Sequence, residues 1–187
     1  MPTNKPLVTI LMPVHNGQEF LRDSINSILE QSYRNFEFVI IDDASTDQSL
    51  RIIQEFKDPR INLAALPLKA GIAEALNCGL KIASGVYVAR MDCDDCSDPR
   101  RLQMQVDFME AHSNVGICGT WMREMENRRV VHVFPPDSDR IRARLLFGSA
   151  IAHPTAMLRN AMIKKYALRY NPAALHAEDY DLWTRAA

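Results

Sequence analysis

Residues 86–95 read Val-Tyr-Val-Ala-Arg-Met-Asp-Cys-Asp-Asp, an apolar, partly β-branched run that ends in three carboxylates. The run predicts a buried strand, and Asp92, Asp94 and Asp95 follow its carboxyl end. Carboxylates about 5 Å apart at an effective dielectric of about 20 repel by roughly 3 kcal/mol, so the cluster favours a bound cation. Oxygen ligands suit Mg²⁺ or Mn²⁺ together with the phosphate oxygens of a substrate. The alternative is a solvated acidic turn before a helix.

Length and charge limit the function classes. A chain of 187 residues predicts a single domain with a substantial core. Its 22 basic and 23 acidic residues give a net charge of −1, so no broad field favours nucleic acid or an anionic membrane. The N-terminus lacks a signal-peptide pattern, and no apolar run approaches the roughly 18 residues of a membrane span. We expect a soluble, cytoplasmic chain without a nucleic-acid partner or a membrane segment.

The cysteines offer a competing site. Cys93 and Cys96 form a C-x-x-C, but no second C-x-x-C or H-x-x-x-H supplies further zinc ligands. A redox pair is the other alternative, although the aspartates between the two thiols would raise the thiol pKa and oppose thiolate formation. We therefore predict that these cysteines are small side chains beside an acidic loop.

Strands and helices alternate along the chain. The strands predicted from apolar runs are 7–12, 36–41, 61–66 and 86–91, followed by an antiparallel pair at 115–125 and 130–134 and a short strand at 156–158. The helices predicted from apolar residues at helical spacing are 16–31, 45–56, 72–83, 98–112, 137–148 and 178 to the end. This order predicts an α/β fold with a mostly parallel sheet flanked by helices and a small antiparallel portion.

Polar residues suggest where several elements begin and end. Asn16 with Glu19, and Ser45 with Gln48, have the spacing of capping boxes. Asp98-Pro99 fits an N-cap and first helical position. Pro13 is expected to end the first strand, and Gly85 to provide a left-handed helix cap.

Three polar segments leave strands at the same edge of the predicted sheet. Residues 13–16 follow the first strand, Asp42 and Asp43 the second, and the acidic cluster the fourth. Ligands of such sheets bind beyond the carboxyl ends of the strands. Neither G-x-G-x-x-G nor a P-loop is present, so phosphates would be held through a metal ion. Asp42 or Asp43 could accept hydrogen bonds from a nucleobase or ribose, or could simply shape the turn before a helix.

These segments resemble the family 2 inverting glycosyltransferases, whose fold is called GT-A. The matching segments are Val-Thr-Ile-Leu-Met-Pro-Val-His-Asn at 8–16, Phe-Val-Ile-Ile-Asp-Asp-Ala-Ser-Thr-Asp at 38–47, the glycine-containing stretch at 71–79, and Tyr-Val-Ala-Arg-Met-Asp-Cys-Asp-Asp at 87–95. The resemblance covers essentially the whole chain, because His-Pro-Thr-Ala-Met at 153–157 and Glu-Asp-Tyr-Asp-Leu-Trp at 178–183 match in the same order.

The resemblance implies roles for individual residues. The nucleotide-binding residues would be Pro13, Val14, Asn16, Asp42, Asp43 and Asp92, with Asp43 facing the base. Asp92 and Asp94 would form the D-x-D pair, with Asp94 in direct contact with Mn²⁺ or Mg²⁺ and Asp95 as a substitute.

The resemblance also implies a general base. This would be Asp179, beside Glu178, which would take the proton of an acceptor hydroxyl as that hydroxyl attacks the anomeric carbon. His153 would be a wall of the active site, or a structural residue. Arg90 would reach a phosphate, or pair with the aspartates.

The resemblance has limits. Lys69 stands where the family often has Asn, and family members usually continue beyond the position of Ala187. We therefore expect a truncated domain, with 1–95 as its nucleotide-binding half and 96–187 as the start of its acceptor half. A longer protein could work at the inner face of a membrane.

Three functions are compatible with the sequence. The first is metal-dependent transfer of a sugar from a nucleotide diphosphate, expected to be UDP, to a glycan or glycolipid hydroxyl. The second is a catalytically silent module that binds nucleotide sugars. The third is a sugar-phosphate nucleotidyltransferase, although its expected Gly-rich, basic loop after the first strand is replaced by Pro-Val-His-Asn.

Overall fold

The computed structural model describes residues 7–125, 127 and 129–187. The strands are β1 (Val8–Val14), β2 (Phe36–Asp42), β3 (Ile61–Ala65), β4 (Tyr87–Arg90), β5 (Ile117–Cys118), β6 (Met122–Arg123), β7 (Val131–His132) and β8 (Met157–Arg159). The helices are α1 (Leu21–Leu29), α2 (Ser49–Glu55), α3 (Ile72–Ile82), α4 (Arg101–Ala111), α5 (Ser138–Leu145), α6 (Asn160–Lys165) and α7 (Glu178–Ala186), with a 3-10 turn at His153–Thr155. In the described ranges, no helix has the length and apolar character that crossing a bilayer requires.

The main sheet has the strand order β3-β2-β1-β4-β8-β5. Its first four strands pair in parallel, whereas β8 runs antiparallel to both β4 and β5. The predicted α/β architecture is therefore confirmed.

The long strand predicted at 115–125 is wrong as a single element, because β5 joins the main sheet while β6 pairs with β7. Between them the N–H of Thr120 donates to the Thr155 hydroxyl at 3.0 Å, which interrupts the strand. The predicted turn at 126–129 includes Glu126 and Arg128, which lie outside the described residues.

Alternate residues of the central strands fill two apolar layers. On one face, Ile10 and Phe38 pack with the apolar stripes of α1 and α4. On the other, Leu11 and Val39 pack with α3 and with Trp183 of α7. Because β1 is buried along its whole length, its sequence is nearly continuously apolar, as is typical of a parallel strand covered on both sides. The sheet therefore holds its strand ends at fixed positions.

The predicted capping boxes are wrong. α1 begins at Leu21 and α2 at Ser49, and neither has a side-chain cap. The Asn16 carboxamide oxygen instead accepts the Thr46 N–H at 2.8 Å, and the Ser45 hydroxyl accepts the Asn16 N–H at 3.0 Å. These polar side chains link the loops after β1 and β2. The residues that fit a local capping pattern therefore form tertiary hydrogen bonds between the two loops. Similarly, α4 begins at Arg101, two residues later than Asp98-Pro99 predicts.

Pro13 does not end β1, which continues to Val14. Along this strand, the carbonyl of Val14 faces β2, where it accepts the Asp43 N–H, and the carbonyl of Leu11 faces β4. Pro13 therefore faces β4, whose pairing with β1 stops at Leu11. The missing N–H of proline costs no ladder hydrogen bond at that point.

Gly85 is required for close packing, not for a left-handed cap, since Gly71 is the one glycine with positive φ among the described residues. A Cβ on Gly85 would lie 2.5 Å from the backbone nitrogen of Thr9. We expect Gly85→Ala to lower the free energy of unfolding in urea by about 1–3 kcal/mol, because the backbone at Thr9 must move to make room. Gly148→Ala is the control, since its Cβ would meet nothing within 4 Å. Equal stability of the two variants would contradict the close approach.

Candidate functional site

The loops that follow β1, β2 and β4 lie side by side, because these strands are neighbours in the sheet. The His15 Nδ1 lies 2.8 Å from the carbonyl oxygen of Asp43, which joins the first loop to the second. A Cβ on Gly17 would lie 2.8 Å from the sulfur of Cys93, so the first loop also touches the acidic loop. The structure thus brings 13–16, Asp42-Asp43 and 92–95 together at one edge.

Asp42 and Asp43 are both buried, at 2% and 3% exposure. The two carboxylate oxygens of Asp43 accept the N–H groups of Ala70 and Gly71, at 2.6 and 2.8 Å. Asp42 accepts the Ser45 N–H at 3.3 Å through Oδ2, and its Oδ1 has no hydrogen-bond partner in the described part of the chain. Asp43 therefore fixes the loop before α3, and Asp42 retains a free acceptor.

The loop after β1 offers a ligand an apolar surface and few free side-chain hydrogen-bonding groups. Pro13 and Val14 are buried, so they can form a floor but present no polar side-chain group. The Asn16 side chain is exposed, but its oxygen is already engaged by Thr46, and its backbone has a φ of 55°. Positive φ is unusual for a residue other than glycine and marks a constrained loop.

Asp92, Asp94 and Asp95 form one cluster, in which a carboxylate oxygen of each lies within 4.8 Å of those of the others. Asp94 is exposed and the other two are half-buried. Burial raises the pKa of Asp95 above its ordinary value, and the charges of Asp92 and Asp94 raise it further. This donor set fits a hard divalent ion, because it presents several carboxylate oxygens from one loop. These three residues could hold Mg²⁺ or Mn²⁺.

Arg90 lies beneath this cluster and is only 1% exposed. Its guanidinium forms an ion pair with the carboxylate of Asp92. Of the two roles predicted for Arg90, the structure therefore shows the pairing with an aspartate.

The acidic loop is fastened by α1, which the sequence did not reveal. The hydroxyl of Ser24 lies 2.8 Å from the carbonyl oxygen of Cys93 and 2.6 Å from that of Asp95. The Ser27 hydroxyl accepts the Ser97 N–H at 3.0 Å, and the Gln31 amide donates to the Asp98 carbonyl at 2.7 Å. Ser24 and Ser27 lie three residues apart on one face of α1, and Gln31 follows just after the end of the helix.

Ser24→Ala tests whether this fastening positions the carboxylates. Removing the hydroxyl leaves two partly buried carbonyls without their donor, so we expect the free energy of unfolding to fall by about 1–3 kcal/mol. We also expect the gain in UDP affinity that Mn²⁺ provides, measured by calorimetry, to shrink more than the metal-free UDP affinity. Thr9→Val removes a buried hydroxyl near the amino end of β1, far from the acidic loop at the carboxyl ends of the strands. This variant should lower stability while preserving the gain in UDP affinity. An unchanged gain in Ser24→Ala would show that Ser24 is a structural residue only.

α7 brings a second acidic group into the site region. Its first turn contains Glu178 and Asp179, and the Ser149 hydroxyl donates to Asp179 Oδ2 at 3.2 Å. Burial raises the pKa of the Tyr170 phenol, Arg90 lowers it, and the charges of Asp179 and Asp92 raise it further. Both carboxylates therefore act on the same buried phenol. Ser149 and Tyr170 were not predicted from the sequence, because neither lies in one of the segments that resemble the family.

His153 is half-buried beside Tyr170, with its Nε2 3.1 Å from the phenol oxygen. Burial lowers its pKa to about 2, and the charge of Arg90 lowers it further. The imidazole is therefore neutral at physiological pH.

The pKa of the Cys93 thiol bears on the competing site that the C-x-x-C offers. All four cysteines are free. Burial raises the pKa of Cys93 to about 11, and the charges of Asp94 and Asp92 contribute to the shift. The predicted direction of the aspartates' effect on this thiol is confirmed, and Cys93 remains protonated at neutral pH.

Comparison with known proteins gives the family. The profile described as Glycosyl transferase family 2 matches residues 9–169. EpsE of Bacillus subtilis is 36% identical over 189 residues, an alignment that covers 96% of this chain and 66% of EpsE. The Escherichia coli protein WfgD, named UDP-Glc:alpha-D-GlcNAc-diphosphoundecaprenol beta-1,3-glucosyltransferase, is 32% identical, with 95% of this chain and 68% of WfgD covered. The chain thus spans about two thirds of the length of these relatives.

Solved structures share the architecture. TarS of S. aureus in complex with UDP has a TM-score of 0.81 at 24% identity, covering 96% of this chain and 54% of TarS. The mannosyltransferase PcManGT of Pyrobaculum calidifontis, in complex with GDP-Man and Mn²⁺, has a TM-score of 0.77 at 22% identity, covering 100% of this chain and 53% of PcManGT. These likenesses confirm the GT-A fold. The match over residues 9–169 gives the family: this chain belongs to glycosyl transferase family 2.

Proposed function

We propose that the chain transfers a sugar, with inversion and with the help of a divalent ion, from a UDP-linked donor to a hydroxyl of a glycan or glycolipid. The observation that carries this proposal is the convergence of three loops at one sheet edge. Asp42 and Asp43 lie at the end of β2, the carboxylate cluster lies after β4, and the loop after β1 lies between them. The names of WfgD and of the TarS complex favour UDP, and the Mn²⁺ in the PcManGT complex favours a metal. The name of WfgD also favours a lipid-linked acceptor.

The domain would have two functional halves. Residues 1–95 would bind the nucleotide: Asp42 and Asp43 would contact the base and ribose, and Asp92 would contact the ribose or a metal-bound water. Residues 96–187 would begin the acceptor half, which contributes Asp179. Asp94 would contact the ion directly, and Asp95 would support it. A bound Mn²⁺ or Mg²⁺ supplies Lewis-acid neutralisation of the departing diphosphate.

The reaction would be a single displacement. The acceptor oxygen forms a bond to the anomeric carbon while the bond from that carbon to the diphosphate oxygen breaks, so the anomeric centre inverts. The Asp179 carboxylate takes the proton of the acceptor hydroxyl, and its hydrogen bond from Ser149 holds it in place. The neutral His153 would form an uncharged wall of the site together with Tyr170, whose phenol oxygen lies 3.1 Å from its Nε2.

Calorimetry with UDP, GDP and their sugars, with and without Mn²⁺, tests the proposal. We expect UDP to bind more tightly with Mn²⁺ and UDP-sugars to be hydrolysed slowly. UDP binding that Mn²⁺ does not change would rule out the metal site. Metal-dependent binding without any hydrolysis or transfer would favour a silent binding module. Turnover of a nucleoside triphosphate with a sugar phosphate would favour a nucleotidyltransferase.

A further inference from the structure

Arg90 is a cation buried within an acidic cluster. Its side chain is almost fully enclosed, and its guanidinium pairs with Asp92, whose own side chain remains 30% exposed. In the described part of the chain, Arg90 Nε has no hydrogen-bond partner. Arginine stays charged in proteins, so this position holds a permanent positive charge.

A second guanidinium reinforces the first. Arg101, which is 7% exposed, donates to the carbonyl of Arg90 at 2.7 Å and to Gln105 at 3.0 Å. The positive charges of Arg90 and Arg101 both act on Asp95 and oppose its repulsion by Asp92 and Asp94. Asp92 is therefore paired with one buried cation and Asp95 lies in the field of two, so the cluster attracts a divalent ion less strongly than three carboxylates alone would.

We propose that Arg90 is a positioning residue that acts through Asp92: it occupies this carboxylate in the absence of nucleotide and so makes binding of the divalent ion depend on the diphosphate. The inference rests on the proposed function. A cation next to the cluster repels Mn²⁺ and attracts a diphosphate. The charge of Arg90 should therefore lower the affinity for Mn²⁺ alone and raise the affinity for the diphosphate. Binding of the diphosphate supplies the negative charge that Arg90 removes from the loop.

Arg90→Met tests this sign, because methionine fills similar space without charge. We expect Mn²⁺ to bind the variant at least about tenfold more tightly than the wild type when no nucleotide is present, since unit charges about 5 Å apart interact substantially. We expect UDP at saturating Mn²⁺ to bind at least about threefold more weakly. Both affinities are measured by calorimetry. Arg90→Lys, which keeps the charge, should remain close to the wild type in Mn²⁺ affinity.

Arg60→Met is the matched control. Arg60 also pairs with an aspartate, Asp58 at 2.7 Å, but it lies just before β3 at the opposite edge of the sheet. Its loss should leave both affinities unchanged. If Arg90→Met does not fold, Arg90→Gln replaces it in the same comparison. An unchanged or weaker Mn²⁺ affinity in the folded, uncharged variant would overturn the inference. If Mn²⁺ does not change UDP binding to the wild type, the metal-dependent function is overturned instead. The comparison of Mn²⁺ affinities without nucleotide tests only the role of Arg90.

Discussion

Asp179→Asn should abolish glycosyl transfer, with turnover falling by about 10²–10⁴-fold, the range in which a general base contributes. The asparagine keeps the size of the side chain and can still accept the hydrogen bond from Ser149, but it cannot take a proton. UDP affinity should stay within a few-fold, because Asp179 lies on α7 and not in the loops that follow β1, β2 and β4. Turnover is measured as UDP released from a UDP-hexose, and affinity by calorimetry.

Asp181→Asn is the control for this change. Asp181 lies on the same helix, but its carboxylate accepts two hydrogen bonds from Arg185, at 3.0 and 2.6 Å, so it has no free role as a base. Its substitution should cost little turnover. If Asp179→Asn retains the wild-type rate, Asp179 is not the base. If both variants lose activity and UDP affinity together, the helix has a structural role only.

The sequence predicted those parts of the fold that depend on burial. β1, β2 and β4 are nearly continuous apolar runs because the sheet is covered on both faces, and their order placed the acidic loops at one edge. The grouping of 13–16, Asp42-Asp43 and 92–95 followed from that topology. It required no side-chain detail, since parallel strand ends meet at the same edge.

The parts that depend on tertiary hydrogen bonds were not predictable in the same way. Asn16 and Ser45 have the spacing of helix caps, yet each contacts the other loop. Ser24 lies among polar residues of α1 that look solvent-exposed in sequence but is fully buried against the acidic loop. A serine has the same sequence signature whether it meets water or a carbonyl, so only the packing partner distinguishes the two. For the same reason the sequence left open whether Arg90 reaches a phosphate or pairs with Asp92.

Asp94→Ala should remove the effect of Mn²⁺ on nucleotide binding. Asp94 is exposed, and among the hydrogen bonds of the described residues its side chain takes part in none, so its carboxylate is free to contact an ion. Substitutions of residues that only support metal ligands cost about 10–100-fold in metal affinity, so loss of a direct ligand should cost at least as much. Metal-free UDP affinity should change little. The measurement is a UDP titration by calorimetry at several Mn²⁺ concentrations.

The stability of the variant separates this outcome from misfolding. Exposed substitutions of this kind change the free energy of unfolding by about 0.5 kcal/mol or less, so Asp94→Ala should unfold in urea at nearly the wild-type midpoint. Asp107→Ala removes another exposed carboxylate, on α4, where it accepts a hydrogen bond from Gln103 at 2.8 Å, and should preserve the Mn²⁺ effect. If Asp94→Ala and Asp107→Ala respond to Mn²⁺ equally, the cluster is a solvated acidic turn. If Asp94→Ala alone loses the response, the cluster binds the ion that the diphosphate requires.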